Sequence, residues 1–591
     1  MIKTTWDLSQ IYKTDEEFFA DFEKVKKSVD EIEKFRGTLC KPNRENLLKY
    51  LKLNDEVSSI FEKLAVFAHC KKDDDGKNPD NMKKYALIWD YDSKISEKLS
   101  FVKSELVSLD EKFLNELMAD SNFKDYSRVI ESLIREKKHT LSEHDEQILA
   151  NVSGFVSNDN AYSSLSDIEM IHGTVKDENG KTINLNSSNY NLFLKDKNQD
   201  FRKKVMEEYL GHYRRLNLTI SELYISNVKY TNFVAKLKNY KSALDMSTYD
   251  EQVDSAICKK NIEYVGSKSK LLQEYFKTKK EILGLKEFYT SDINADLPFD
   301  VQNVKYEKCV EDIYEAFKPL GTDYQNMFKK ALEEGWIDAL PRQNKANGGY
   351  TIHTYLIHPY ILLNFDGTNY WKSAIAHEFG HAMHSYYSAK TQPYAKADYT
   401  IFVAEVASLT NEILLSEYVL QKETDKKKKM QIIADFLSLF YLNVYNSSML
   451  AEFEIYAHET LANGESLTGQ DLTQKFAEIF SRYFGDSVKF TENFEYDWER
   501  KSHIFRDYYL YKYSTGLISA CAIASKILSD KTGEYVKKYK QFLSLGDSKD
   551  PVSSLKVADI DITSDETYDF AFGMFEKYLN ELKEIYKGEK N

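Results

Sequence analysis

The sequence predicts a mainly α-helical protein carrying a small β element, and three observations lead there. Glycine and proline number only 22 and 8 among 591 residues, against average usages of about 7% and 5%, so few breakers interrupt long helices. Apolar residues recur at three- and four-residue spacing along most of the chain. Period-two patterning is confined to two short places, near residues 171–184 and 350–365. With 42% apolar residues the chain can bury a sizeable core, and its length passes the roughly 250–300 residues at which a single core stops growing.

Helical pattern runs first from Asp15 to about Leu165, where Phe18, Phe19, Phe22, Val25, Val29, Ile32 and Phe35 form one apolar face. Asp73-Asp-Asp-Gly-Lys-Asn-Pro79 interrupts it as a solvated turn, out of register for a calcium loop. Ile171-His-Gly-Thr-Val and Thr182-Ile-Asn-Leu, separated by Glu178-Asn-Gly-Lys181, read as a tight hairpin. A soft boundary follows it, giving residues 1–188 as an N-terminal helical region and 189–591 as the region carrying the chemistry. Helices resume over Lys195–Glu281 and Lys305–Gly335. Thr351 to Ile357 and Tyr360 to Phe365 then read as strands split by Pro359, a residue tolerated only where no ladder bond is required. After Asn369 the pattern is helical almost to the end, and the basic run Lys426–Lys429 reads as a solvated connection between two helices.

Charge and cysteine usage exclude several classes. Lys plus Arg total 80 against 94 Asp plus Glu, a formal balance of −14, which argues against a nucleic-acid partner because phosphate-backbone binding needs a basic surface. Five scattered cysteines with no C-x-x-C pair form neither a disulfide framework nor a thiolate metal site, and they fit a reducing compartment. The N-terminus lacks the apolar core of a signal peptide. The longest apolar stretch, near Gly516–Ala524, is half the roughly 20 residues needed to span a bilayer. A soluble, cytoplasmic protein with no membrane partner is the expectation.

The residues that carry chemistry cluster between His353 and His384, which hold five of the twelve histidines. On one predicted helix His377 and His381 are four apart, so they share a face and both can reach one ion at about 2.1 Å. Glu378 is rotated by about 100°, which suits contact with a metal-bound water better than with the metal. His384 lies about 10.5 Å along the axis from His377, too far for the same ion, so the third ligand comes from another segment. The best candidate is Glu405, in Ile401-Phe-Val-Ala-Glu405-Val-Ala-Ser-Leu-Thr-Asn-Glu412, a helix apolar nearly all round. A carboxylate buried there needs a cation, and two His with one Glu leave a fourth zinc position open for water. Glu412, seven residues on, could hydrogen-bond a ligand imidazole or serve a buried salt bridge. A second cluster, His503-Ile-Phe-Arg-Asp-Tyr508-Tyr-Leu-Tyr511-Lys-Tyr513-Ser-Thr-Gly516, reads alone as core tyrosines. Beside a hydrolytic zinc its hydroxyls and imidazole could instead face a developing oxyanion.

Taken together these residues resemble the oligoendopeptidase F group of the thimet oligopeptidase-like zinc metallopeptidases. The likeness spans almost the whole chain: Thr5-Trp-Asp-Leu-Ser, His139-Thr-Leu-Ser-Glu-His-Asp-Glu-Gln-Ile-Leu-Ala, Gly348-Gly-Tyr, His358-Pro-Tyr-Ile-Leu-Leu-Asn, His377-Glu-Phe-Gly-His-Ala-Met-His, Glu405-Val-Ala-Ser and the tyrosine stretch from His503. One stretch departs from the family pattern, His353-Thr-Tyr-Leu-Ile. The resemblance implies two helical halves around a deep substrate channel, with a small β element beside the zinc helix. It implies one zinc per chain on His377, His381 and Glu405, with Glu378 as general base, and His503, Tyr511 and Tyr508 as oxyanion donors. It also implies short-peptide substrates touching Gly349, Tyr350 and His358, with the peptide backbone added as a strand beside His358–Asn364. Cleavage of internal peptide bonds is the expected reaction. The alternatives are trimming of C-terminal dipeptides, or an inactive helical scaffold that only binds peptides.

Overall fold

A computed structural model describes residues 2–153, 156–299 and 303–590. It is 71% helix and 3% strand, the mainly helical class with a small sheet that the sparse breakers indicate. The chain forms two compact units, each discontinuous in sequence: Met1–Glu143 with Gln302–Tyr418 and Lys526–Ile560, and His144–Val301 with Val419–Ser525 and Asp561–Asn591. The division at residue 188 is therefore a proposal about which stretch carries the chemistry, separate from these units. Among the described residues no helix is long and apolar enough to cross a membrane. All five cysteines are free thiols, Cys40 exposed and the other four buried.

In the first unit the helix Asp15–Glu33 is capped by Thr14, whose hydroxyl accepts from the Glu17 N–H. Phe18, Phe22, Val25, Val29 and Ile32 are buried at the expected spacing. Phe19 is not on that face: one residue from Phe18, it is turned about 100° away and stays exposed. The helix Arg44–Asp74 packs beside it and takes in the first two residues of the stretch read as a solvated turn. Asp73 is buried in its last turn, accepting from the Tyr350 hydroxyl at 2.8 Å and pairing with His69 at 3.1 Å. Only the residues after Asp74 make the turn, because His69 and Lys72 on the same helix, with Tyr350 brought by the fold, repay burial of the first carboxylate.

The sheet of this unit has three strands, β3 (Ile337–Asp338), β4 (Tyr350–Ile352) and β5 (Tyr360–Leu362), in the order β3-β5-β4. β5 pairs parallel with β3 and antiparallel with β4, Thr351 lying opposite Ile361. Pro359 immediately precedes β5, where its missing N–H costs no ladder bond. The Trp6 indole donates to the Ile361 carbonyl at 2.8 Å, which docks the N-terminal segment onto the sheet. Two helices follow, Asn369–Thr391 and Ile401–Lys422.

The second unit is built on the 39-residue helix Gln199–Leu237, capped by Asn198 and buried along Val205, Tyr209, Tyr213, Tyr224 and Val228. The hairpin forms as β1 (Thr174–Lys176) and β2 (Thr182–Asn184), antiparallel, with Gly180 in the left-handed region at φ +78°. The lysine run does not connect two helices. It is the first turn of the helix Lys426–Phe440, because Asp425 caps that helix by accepting from the Lys427 and Lys428 N–H groups at 2.9 and 3.0 Å.

This unit also buries an acid that has no cationic partner among the described residues. Glu499 is fully buried and accepts from Asn217 at 2.6 Å. Burial pushes its carboxyl up from 4.5 to about 8, against the lowering effect of Asn217. The folded form then keeps a proton that the unfolded chain releases, so this group's contribution to stability falls as pH rises from about 4.5 to about 8 and is level beyond. Glu499→Gln should raise the melting midpoint by several degrees near pH 8 and by little near pH 5. Thermal scans at both pH values check this, and equal gains at both would remove Glu499 as the source.

Candidate metal centre

The helix Asn369–Thr391 places His377 and His381 one turn apart, their rings edge to face with centroids 4.8 Å apart. Their Nε2 atoms are 3.2 Å from each other. Glu405, on the helix Ile401–Lys422, brings its Oε2 to 3.4 Å from His377 Nε2 and 3.6 Å from His381 Nε2. Donors about 2.1 Å from the centre of a regular tetrahedron are about 3.4 Å apart, so these three separations fit three corners around one small divalent ion. Among the described residues no Lys or Arg pairs with Glu405; its other contact is the Ser408 hydroxyl at 3.1 Å. The rest of its helix is largely buried, and Glu405 and Glu412 are among its few partly exposed positions.

Gly380 sets the spacing. A Cβ there would come within 2.5 Å of the Ser408 Cα and 2.6 Å of the Ala407 carbonyl oxygen, both on the Glu405 helix. The glycine between the two histidines thus permits the close approach that brings in the carboxylate.

The donors are themselves oriented. Glu412 Oε1 lies 2.7 Å from His377 Nδ1, and its other oxygen accepts from the Ser373 hydroxyl. With Nδ1–H donated to Glu412, the His377 Nε2 lone pair faces the other donors. Burial pulls the His377 imidazole down, but the hydrogen bond and charge of Glu412, with Glu405 and Glu378, outweigh it and hold it up at about 9. Burial and the His377 charge push His381 the other way, to about 4. Two imidazole nitrogens in contact cannot both be protonated, and the first proton goes to the ring that Glu412 holds.

Glu378 points elsewhere, as its rotation on the helix requires. Its Oε2 lies 2.7 Å and its carbonyl oxygen 2.8 Å from the Thr351 hydroxyl on β4. Burial raises its carboxyl above the usual range, with His377 and Thr351 opposing. His384 is buried and stacked on Tyr399 at 3.6 Å, and burial pushes it down to about 3. It is not one of the three grouped donors.

The remaining candidates lie elsewhere. Gly349 and Tyr350 sit at β4, and the Tyr350 hydroxyl is taken by Asp73. His358 stacks on Trp336 at 4.5 Å, with Nδ1 3.0 Å from the Pro359 carbonyl, and burial lowers its pKa. The strand expected to receive a peptide is β5, but β5 is the middle strand with both edges paired, so no second backbone can add there. The edge strand on the side of the histidine helix is β4. In the second unit His503 is half-buried, and burial with Arg506 and Lys501 lowers its pKa. Tyr508 and Tyr511 are buried, 2% and 0% exposed, and Tyr508 has φ +59° with its N–H donated to Glu454 at 3.0 Å. The rings nearest His503 are the partly exposed Tyr509 and Tyr513, at 5.9 and 6.2 Å. Tyr509 precedes the helix Tyr511–Ser529 that holds Tyr513, so helical spacing does not point to this pair.

The sequence pattern of Peptidase family M3 matches residues 192–574, and that of the Oligopeptidase F N-terminal region matches residues 105–170. The chain belongs to peptidase family M3, a family of peptide hydrolases. It is 32% identical to Oligopeptidase PepF of Bacillus subtilis over 98% of this chain and 87% of that protein. It is 30% identical to the Oligoendopeptidase F homolog of Borreliella burgdorferi over 98% of both. The crystal structure of oligoendopeptidase-F from Enterococcus faecium matches with a TM-score of 0.73 at 25% identity, covering 97% of this chain and 99% of that one. A crystal structure from Chlamydophila abortus matches with a TM-score of 0.92 at 29% identity, covering 98% of each chain.

Two substitutions test the geometry. Gly380→Ala should separate the helices and lower divalent-metal uptake while helix content is retained. Glu412→Ala should weaken metal binding about 10–100-fold by freeing the His377 ring. Metal competition titrations read both, and full affinity in either variant would contradict the role given to that residue.

Proposed function

We propose that this chain is a zinc-dependent endopeptidase that hydrolyses internal bonds of short oligopeptides. The observation that carries the reading is the convergence of His377 Nε2, His381 Nε2 and Glu405 Oε2 at tetrahedral spacing, with an unligated Glu378 on the same helix. These three residues would hold one zinc, which supplies a Lewis acid for the scissile carbonyl and lowers the pKa of water. The chain's own part begins with Glu378, whose carboxylate takes the proton of the attacking water and returns it to the departing amine nitrogen. A carboxyl held above its ordinary range by burial is suited to both transfers. Glu412 keeps the His377 ring in place throughout. His503, with Tyr511 and Tyr508 as the family resemblance assigns them, would steady charge on the carbonyl oxygen. Burial of both tyrosines makes the half-buried His503 the first of these to test. Short peptides are the substrates by analogy with the relatives' names.

Glu378→Gln should retain zinc and lose turnover by about 10²–10⁴-fold. Glu405→Ala should instead lose zinc, measured by metal analysis of the purified protein. Glu378→Gln turning over at the wild-type rate under clean metal conditions would end the general-base reading. Cleavage of a peptide library of graded length, with and without chelator, separates an endopeptidase from an inactive scaffold. Blocking the peptides' C-termini separates it from dipeptide trimming, which would stop.

A further inference from the structure

Among the described residues, Glu378 has a hydrogen-bond partner at one carboxylate oxygen only, and that partner is Thr351. We infer that Thr351 is a positioning residue, whose hydroxyl fixes the Glu378 carboxylate so that Oε1 is presented to the proton it removes. The inference rests on the reading of Glu378 as general base and adds a residue that the sequence motif does not contain.

The geometry is specific in three ways. The Thr351 hydroxyl lies 2.7 Å from Oε2 and 2.8 Å from the carbonyl oxygen of Glu378; its single proton given to Oε2, the nearer and the charged acceptor, tethers the carboxylate directly. A glutamate has three side-chain torsions, and tethering one oxygen while the other remains open removes most of that freedom without consuming the basic site. Thr351 itself is held firmly. It is the middle residue of β4, in register with Ile361. Side chains alternate along a strand, so its neighbours face the other way: the Tyr350 hydroxyl is bonded to Asp73, and Ile352 packs against the N-terminal helical core. Both neighbours anchor the strand, and the hydroxyl between them meets the histidine helix.

The experiment compares Thr351→Val, which keeps the branched shape without the hydroxyl, with Thr351→Ser, which keeps the hydroxyl. Metal content and steady-state kinetics on a fluorescence-quenched oligopeptide are measured for each. Thr351→Val should keep its zinc and hold KM within about threefold while kcat falls about 10–100-fold, as expected for one hydrogen bond to a charged group. Thr351→Ser should restore kcat, and Thr351→Val added to Glu378→Gln should cause no further loss. Wild-type kcat in Thr351→Val overturns the inference. So does a serine variant as slow as the valine variant, because the methyl group would then be what matters, and so does loss of zinc from Thr351→Val. Turnover surviving in Glu378→Gln alone would overturn the general-base reading and this inference with it. A dead Glu378→Gln beside a fully active Thr351→Val sinks the inference only.

Discussion

The site depends on how closely two helices can lie. Three electron-rich atoms, two imidazole nitrogens and a carboxylate oxygen, sit within 3.2 to 3.6 Å of one another in a partly buried setting. Such an arrangement is costly unless a proton or a cation is shared among them. It exists because Gly380 adds no side chain where the Ala407–Ser408 backbone crosses, and because Ser373 and Glu412 hold the His377 ring from behind. The surrounding packing is stiff: Phe379 stacks on Phe317 and meets Tyr324 and Phe328 edge-on. The residues between the histidines therefore have separate tasks, Phe379 toward the core, Gly380 toward the neighbouring helix and Glu378 toward the sheet.

Much of this was legible in the sequence, for local reasons. A four-residue spacing puts two histidines on one face of any helix, and a carboxylate in an apolar helix stands out wherever that helix lies. The grouping of His377, His381, Glu405 and Glu412 needed only those two rules. What escaped the sequence depends on contacts between distant segments. β3 is two residues long and forms only because β5 runs beside it. Thr351 looks like any strand threonine until the sheet meets the histidine helix. Asp73 reads as loop acid among three aspartates, and Tyr350, 277 residues away, joins Lys72 and His69 of its own helix in making it an interior group.

The tyrosine stretch shows the limit of pattern reading. Family likeness favours Tyr511 and Tyr508, and these are the members the fold encloses, while Tyr509 and Tyr513 flank His503. Periodicity tells which residues share a side of a helix. It does not say which side is covered, and in a unit buried on several sides that second fact decides what a hydroxyl can reach.

The first unit threads together three stretches of chain, and Trp6 and Asp73 belong to the earliest of them. Trp6 caps the sheet through Ile361, and Asp73 secures Tyr350. An excised fragment starting near residue 192, where the family M3 match begins, would contain every histidine and glutamate of the cluster. It would also strip the scaffold from beneath β4 and leave apolar strand residues bare to solvent. The smallest autonomous piece of this protein is thus larger than its recognisable motif, and the early helices are foundation rather than ornament.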